Sequence, residues 1–217
     1  MLKLITREEI FQRSPLADHY ISDSQSVHRN GDILIDPGNI AKAADACDHL
    51  ETYHKRAPVA DDFTVIAYPA KDRKDYVTNC PIVLGRFYEL LGVKQLYLID
   101  ELKYNLVKFP FGIKERRGAF KQLIEPNEYC EAFEMAVHDL TVILPLIFYS
   151  SRNSVPIIYL FSAESSLDIA MYLCDDGNFH TSFPSGEHES INAVAEAAGL
   201  KVGDVQLCNT YYTWPLH

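Results

Sequence analysis

No two of the five cysteines stand close enough to share a metal-binding turn or a redox loop. Cys47, Cys80, Cys130, Cys174 and Cys208 are far apart, odd in number, and form no CxxC pair. The usual signatures of a zinc ribbon and of a thioredoxin-type site are therefore missing. GxxxxGKS/T, GxGxxG and HExxH are absent as well, which removes the common sequence support for nucleotide binding and zinc-protease chemistry. Basic charge is scarce: 20 Lys plus Arg face 30 Asp plus Glu, a formal net charge of −10. Such a balance repels phosphate backbones and anionic lipid, so neither nucleic acid nor membrane is expected as a partner.

A long apolar run is also lacking. Leu140–Phe161 (LTVILPLIFYSSRNSVPIIYLF) is the most apolar stretch, but Ser150-Ser151-Arg152-Asn153-Ser154 divides it, and a membrane helix needs about 20 apolar residues in succession. The stretch reads as two core segments. The amino-terminal MLKLITREEIFQRS carries acids where a signal peptide would be apolar, so a cytoplasmic protein with reduced thiols is expected.

What is present describes a mixed α/β or α+β fold. We expect a single domain over 1–217, with a weak subdivision at most near 110–126. It should hold a mixed sheet of about six to nine strands, two hairpins included, packed by four to five helices. Thr6 and Glu9 are placed as a capping box for a short helix ending near Ser14-Pro15. Asn30-Gly31 is the preferred pair for a tight turn and predicts a hairpin with arms Gln25–Arg29 and Asp32–Ile35. Asp36-Pro37 predicts a helix reaching about Lys55, with Ile40, Ala43, Ala44, Cys47 and Leu50 on one face.

Phe63–Tyr68 reads as a strand, AKDRKDYVTN as a loop, Pro81–Leu91 as a helix closed by Gly92, and Lys94–Ile99 as a strand. The order predicts a β–α–β unit with parallel strands. Glu101–Phe109 adds a further strand. Glu125-Pro126 opens a helix carrying Tyr129, Cys130, Phe133, Val137 and Leu140 on one face. Val142–Tyr149 and Pro156–Phe161 then read as strands. Leu167–Cys174 and Asn178–Phe183 form a second hairpin about Asp176-Gly177. Ser190–Ala198 is a helix capped by Gly199, and Val205–Leu207 a last strand.

Several groups of residues carry candidate chemistry. Cys80 and Arg86 have the C-x5-R spacing (CPIVLGR) and resemble the signature of tyrosine phosphatases. That resemblance implies a cysteine nucleophile, a clamping arginine and a loop of backbone amides around phosphate. Pro81 lacks one such amide, and Ile82-Val83-Leu84 look like the buried face of a helix, which favours a merely structural cysteine. Cys47, Glu51 and His54 fall at steps of four and three on the expected long helix, the best metal arrangement in the chain. The only other acid–histidine pairing on a predicted helix, Glu134 with His138, has the wrong spacing for a companion site.

Glu187-His188-Glu189 resembles the E-x-E of ADP-ribosyltransferases, which implies one glutamate on a ribose and one on the acceptor. At the start of a helix the same acids simply favour the positive end of its dipole. His28, His180 and His188 fall at expected turns, where distant loops can converge on a Cys/His or Ser/His/Asp arrangement. Lys114, Arg116, Arg117 and Lys121 form a basic patch that also reads as a solvated helix face.

No cofactor is expected. The leading expectation is an acidic protein-binding module, concretely an inhibitor or immunity-type protein covering a basic toxin or enzyme. Tyr211, Tyr212, Trp214, Asp175 and Asp176 are its candidate contacts. The alternatives are a small hydrolase or transferase using Cys80 and Arg86 or the loop histidines, and a structural subunit of a larger assembly.

Overall fold

The computed structural model describes residues 2–29, 47–48, 61–103, 118, 122, 131–151, 157–163, 167–174 and 176–210. Asn30-Gly31, most of the expected Asp36–Lys55 helix, the basic patch Lys114–Lys121, Asp175 and the aromatic tail with Tyr211, Tyr212 and Trp214 lie outside these residues. The described chain is an α+β protein. Its strands are β1 (Lys3–Ile5), β2 (Asp61–Ala67), β3 (Gln95–Asp100), β4 (Ala132–Ala136), β5 (Ile158–Ala163), β6 (Ala170–Leu173), β7 (Phe179–Pro184) and β8 (Lys201–Gly203). They make one sheet in the order β1-β4-β3-β5-β6-β7-β2-β8. Every described pairing is antiparallel.

Five described α-helices cover the sheet: α1 (Arg7–Arg13), α2 (Pro15–Arg29), α3 (Arg73–Leu90), α4 (Leu140–Ser151) and α5 (His188–Ala198). On one face, Tyr76, Leu84 and Phe87 of α3, Ile143 and Leu144 of α4, and Ile191 and Ala195 of α5 pack on Leu96, Leu98, Phe133, Leu160, Phe179 and Phe183. On the other, Ile10 and Phe11 of α1 and Leu16, Ala17 and Ile21 of α2 pack on Tyr97, Ile99, Tyr159, Phe161 and Ala170. Adjacent residues of β3 and β5 thus alternate between two cores, because side chains of a strand project to opposite faces. This is why Leu96–Ile99 and Ile158–Phe161 read as unbroken apolar runs. Burying each of these large side chains contributes about 1.5–3 kcal/mol.

The expected hairpin arm Gln25–Arg29 is instead the end of α2. Ser14 is the reason: besides ending α1, its Oγ accepts from the amide of Ala17 at 3.0 Å, capping a new helix whose first residue is Pro15. The loop expected before Pro81 is the first half of α3, because Asp72 caps it by accepting from the Asp75 amide at 2.8 Å. Pro81 lies inside that helix and Gly92 follows it at φ 75. β2 and β3 do run in the same direction, since four antiparallel steps separate them. Three strands lie between them, so the parallel pairing of a β–α–β unit is not made.

The chain around Leu140 reverses expectation. The helix expected after Glu125-Pro126 is, over its described part, strand β4 followed by a 3-10 turn at Val137–Asp139. Phe133 and Met135 enter one core and Ala132 the other, a period of two that outweighs the helical spacing. Val142–Tyr149 is helical, within α4, with Pro145 inside it. Leu140, Ile143 and Leu144 recur at helical steps and are buried, whereas Val142 is exposed. Glu101–Lys103 form a bend rather than a strand, and Val205–Leu207 belong to a 3-10 helix, Val205–Thr210, that follows β8. The capping box of α1, the β6–β7 hairpin and the Gly199 cap of α5, at φ 102, are as expected.

Candidate metal centre

The β6–β7 hairpin supplies two of the three residues that converge. Tyr172 pairs with His180, and Leu173 with Phe179. The Cys174 amide then donates to the Asn178 carbonyl at 2.9 Å. The turn closes with Gly177 at φ 82, its amide donating to the Cys174 carbonyl at 3.0 Å. Alternation puts Tyr172 and Cys174 on the same sheet face as His180. The 3-10 helix Val205–Thr210 brings the third. Asp204 opens it, its Oδ1 accepting from the Gln206 amide at 2.8 Å. Leu207 seats against Gly203, where an added Cβ would meet it at 3.5 Å. The Leu207 carbonyl accepts from Asn178 Nδ2 at 3.4 Å. Cys208 then lies over the hairpin.

One donor atom from each of Cys174, His180 and Cys208 lies within 4.8 Å of the others. His180 Nε2 is 3.2 Å from Cys208 Sγ. The imidazole is stacked on Tyr172, with centroids 4.7 Å apart and planes at 25°, and Phe63 flanks it at 5.5 Å. Both rings restrict its rotation. Cys208 is buried, while Cys174 and His180 are half-buried. Burial pushes the Cys174 thiol up to about 12, against backbone hydrogen bonds from Asn178 and Asp176 that favour the thiolate. Burial lowers the pKa of His180, with Asp176 opposing, so the imidazole is held neutral, the form that ligates a metal. Burial likewise raises Tyr172 to about 12.

Two sulfurs and an imidazole nitrogen are the donors preferred by zinc and other thiophilic cations. Zn–S of about 2.3 Å and Zn–N of about 2.0–2.1 Å imply tetrahedral edges of about 3.5–3.8 Å. The donor atoms lie within 4.8 Å of one another, about 1 Å beyond the longest of those edges. Three protein ligands leave a fourth position for water or another donor.

The sequence candidates fare unevenly. His180 is in this centre, and Asp176 is in the turn beside it. Cys80 and Arg86 are not a phosphate loop: both lie on α3, and six residues at about 3.6 per turn put them about 120° apart around its axis. Cys80 is completely buried, with its thiol pushed far up by burial, and Arg86 is exposed. Cys47 is buried but sits in a bend, and neither it nor Asp48 is helical, so the helical steps proposed for Cys47, Glu51 and His54 fail at their first member. Glu51 and His54 lie outside the described residues. His28 is on α2 rather than in a turn. His188 is the first residue of α5, with Asn192 Nδ2 3.3 Å from its Nδ1 and Phe183 at 6.1 Å. Glu187 is the N-cap position of α5, without a side-chain capping bond. Glu134 is in β4 and paired with Lys3 at 3.0 Å, while His138 lies 3.4 Å from Asp139.

Cys174 and Cys208 were missed as ligands because they are 34 residues apart and on different element types. The Asp176-Gly177 turn, combined with strand alternation, was enough to put Cys174 beside His180. No sequence signal pointed to Cys208.

The chain matches no protein-family model, no curated protein and no solved structure. Among the described residues, no helix is long and apolar enough to cross a membrane.

Proposed function

We propose that the protein binds a thiophilic divalent cation, zinc in the first instance, through Cys174 Sγ, His180 Nε2 and Cys208 Sγ. The observation that carries this reading is the convergence of two sulfurs and an imidazole nitrogen within 4.8 Å from two separate stretches of chain. Held between them, the cation would clamp the 3-10 helix Val205–Thr210 to the β6–β7 hairpin. Cys174 and His180 are only half-buried, and the fourth position suits exchange or a bound water.

The test is titration of the metal-free chain with Co²⁺, followed by displacement with Zn²⁺. The expected result is one cation per chain, with the thiolate charge-transfer and tetrahedral bands of a sulfur-rich site. His180→Ala should weaken binding by about 10-fold or more, and Cys174→Ser further. A spectrum of octahedral Co²⁺, or binding unchanged in both variants, refutes the assignment.

The net charge of −10 supports a second reading, recognition of a basic protein as by an inhibitor or immunity protein. Its test is binding to a purified basic toxin or nuclease, with an on-rate that falls steeply with salt. An enzyme is the third reading. Its strongest geometric support is the 3.2 Å contact between His180 and Cys208, the arrangement by which an imidazole activates a thiol.

A further inference from the structure

We infer that Cys174 and Cys208 form a redox gate on this centre: a hydroperoxide joins them as a disulfide and so releases the cation. The inference rests on the metal reading of the site and adds its regulation. Both cysteines are free thiols in the structure. Their sulfurs are within 4.8 Å of each other. They lie on different elements, Cys174 at the end of a hairpin strand and Cys208 on the 3-10 helix Val205–Thr210. Cys208 is 8% exposed, and the half-buried Cys174 and His180 beside it give a small oxidant a way in, whereas Cys47 and Cys80 are 3% and 0% exposed. Selectivity therefore has a structural cause.

His180 Nε2 is a ligand while the cation is bound, so oxidation proceeds in the metal-free site that dissociation of the cation exposes, and the disulfide then bars its return. His180 Nε2, 3.2 Å from Cys208 Sγ, takes the thiol proton. The thiolate attacks the outer oxygen of the hydroperoxide, the O–O bond breaks, and the leaving alkoxide departs as an alcohol with the imidazolium proton. Cys208 is then a sulfenic acid. Cys174 Sγ attacks that sulfur; the S–S bond forms, the S–O bond breaks, and hydroxide leaves with the Cys174 proton as water. Two thiols lose two electrons, and the hydroperoxide becomes an alcohol and water. Oxidation consumes both sulfur donors and leaves His180 alone of the three. One imidazole does not retain a divalent cation.

The test treats the full-length chain with stoichiometric hydrogen peroxide, in zinc-loaded and metal-free forms, and reads zinc release with a chromogenic chelator. Peptides are mapped under non-reducing conditions. The expected result is zinc release in proportion to a Cys174–Cys208 cross-linked peptide, with Cys47 and Cys80 still alkylatable and zinc uptake restored by a thiol reductant. Zinc retained after oxidation, or sulfinic acid at Cys174 or Cys208 without the cross-link, overturns the gate. A chain that takes up no zinc at all overturns the metal reading instead. The metal-free arm then decides the thiol pair alone, the cross-link supporting it and its absence refuting it.

Discussion

The guanidinium of Arg7 grips the carboxylate of Asp48 from the side and the end, with Nε 2.9 Å and Nη2 2.8 Å from Oδ2. Neither residue is exposed by more than a tenth. Arg7 Nη1 adds Asp100, at 2.8 Å from Oδ1 and 2.9 Å from the carbonyl. Gln25 completes the cluster, its Nε2 donating to Asp48 Oδ2 at 2.8 Å and its Oε1 accepting from the Asp48 amide at 2.8 Å. The four residues come from α1, α2, β3 and the short described piece at 47–48. Arg7→Met removes the cation that bridges two buried carboxylates, Asp48 and Asp100, and should cost about 3–5 kcal/mol. Asp48→Asn should cost less, because Arg7 keeps Asp100. Urea denaturation of both variants checks the order.

Capping gives a smaller and cleaner effect. Asp72→Ala leaves the Asp75 amide unsatisfied at the start of α3 and should cost about 1 kcal/mol. Asp72→Asn should recover most of it. The comparison uses thermal melts at neutral pH.

Glu9 carries a pH dependence of known sign. The Thr6 backbone amide and hydroxyl hold its carboxyl below the ordinary value. A lowered folded pKa means that the unfolded chain binds the proton more readily. Glu9 therefore stabilises fully above the ordinary glutamate range, and this contribution is lost as pH falls through its lowered folded value. Glu9→Gln should flatten that part of the acid limb of the stability curve, read by denaturation at a series of pH values.

Cys80 and Arg86 make a sharp negative prediction. Arg86→Ala should change stability by no more than about 0.5 kcal/mol, as exposed substitutions do. It should leave phosphate affinity unaltered by isothermal titration. Cys80→Ser, which buries a hydroxyl in the larger core, should destabilise the fold. A phosphate site lost in Arg86→Ala would contradict the helical placement.

Ligand linkage tests the metal centre independently of spectroscopy. Zinc at 100 times its Kd should stabilise the folded chain by about 2.7 kcal/mol. The matching rise in Tm should vanish in Cys208→Ser. An equal rise in that variant would place the cation elsewhere.

Local chemistry was legible wherever one element decides its own fate. The Thr6–Glu9 box, the Asp176-Gly177 turn and the Gly199 cap depend on hydrogen bonds and φ angles within a few residues, and the sequence alone determined them. The mixture of helices and strands was legible too, whereas the choice between α/β and α+β rested on strand pairing in space. Leu140–Ser151 and Ala132–Ala136 were not legible, because apolar residues dense enough to satisfy both a two-residue and a 3.6-residue period leave the choice to the surrounding core. In the structure β4 pairs with both β1 and β3, and α4 packs on α3. Ser14-Pro15 was legible as a stop and is equally a start, which only the docking of α2 on Tyr97 and Phe161 reveals. The buried Arg7 cluster and the Cys174–His180–Cys208 centre belong wholly to tertiary structure. Their members come from separate stretches of chain, and donor convergence is a property of distance in space, which residue spacing does not encode once a sheet has reordered its strands.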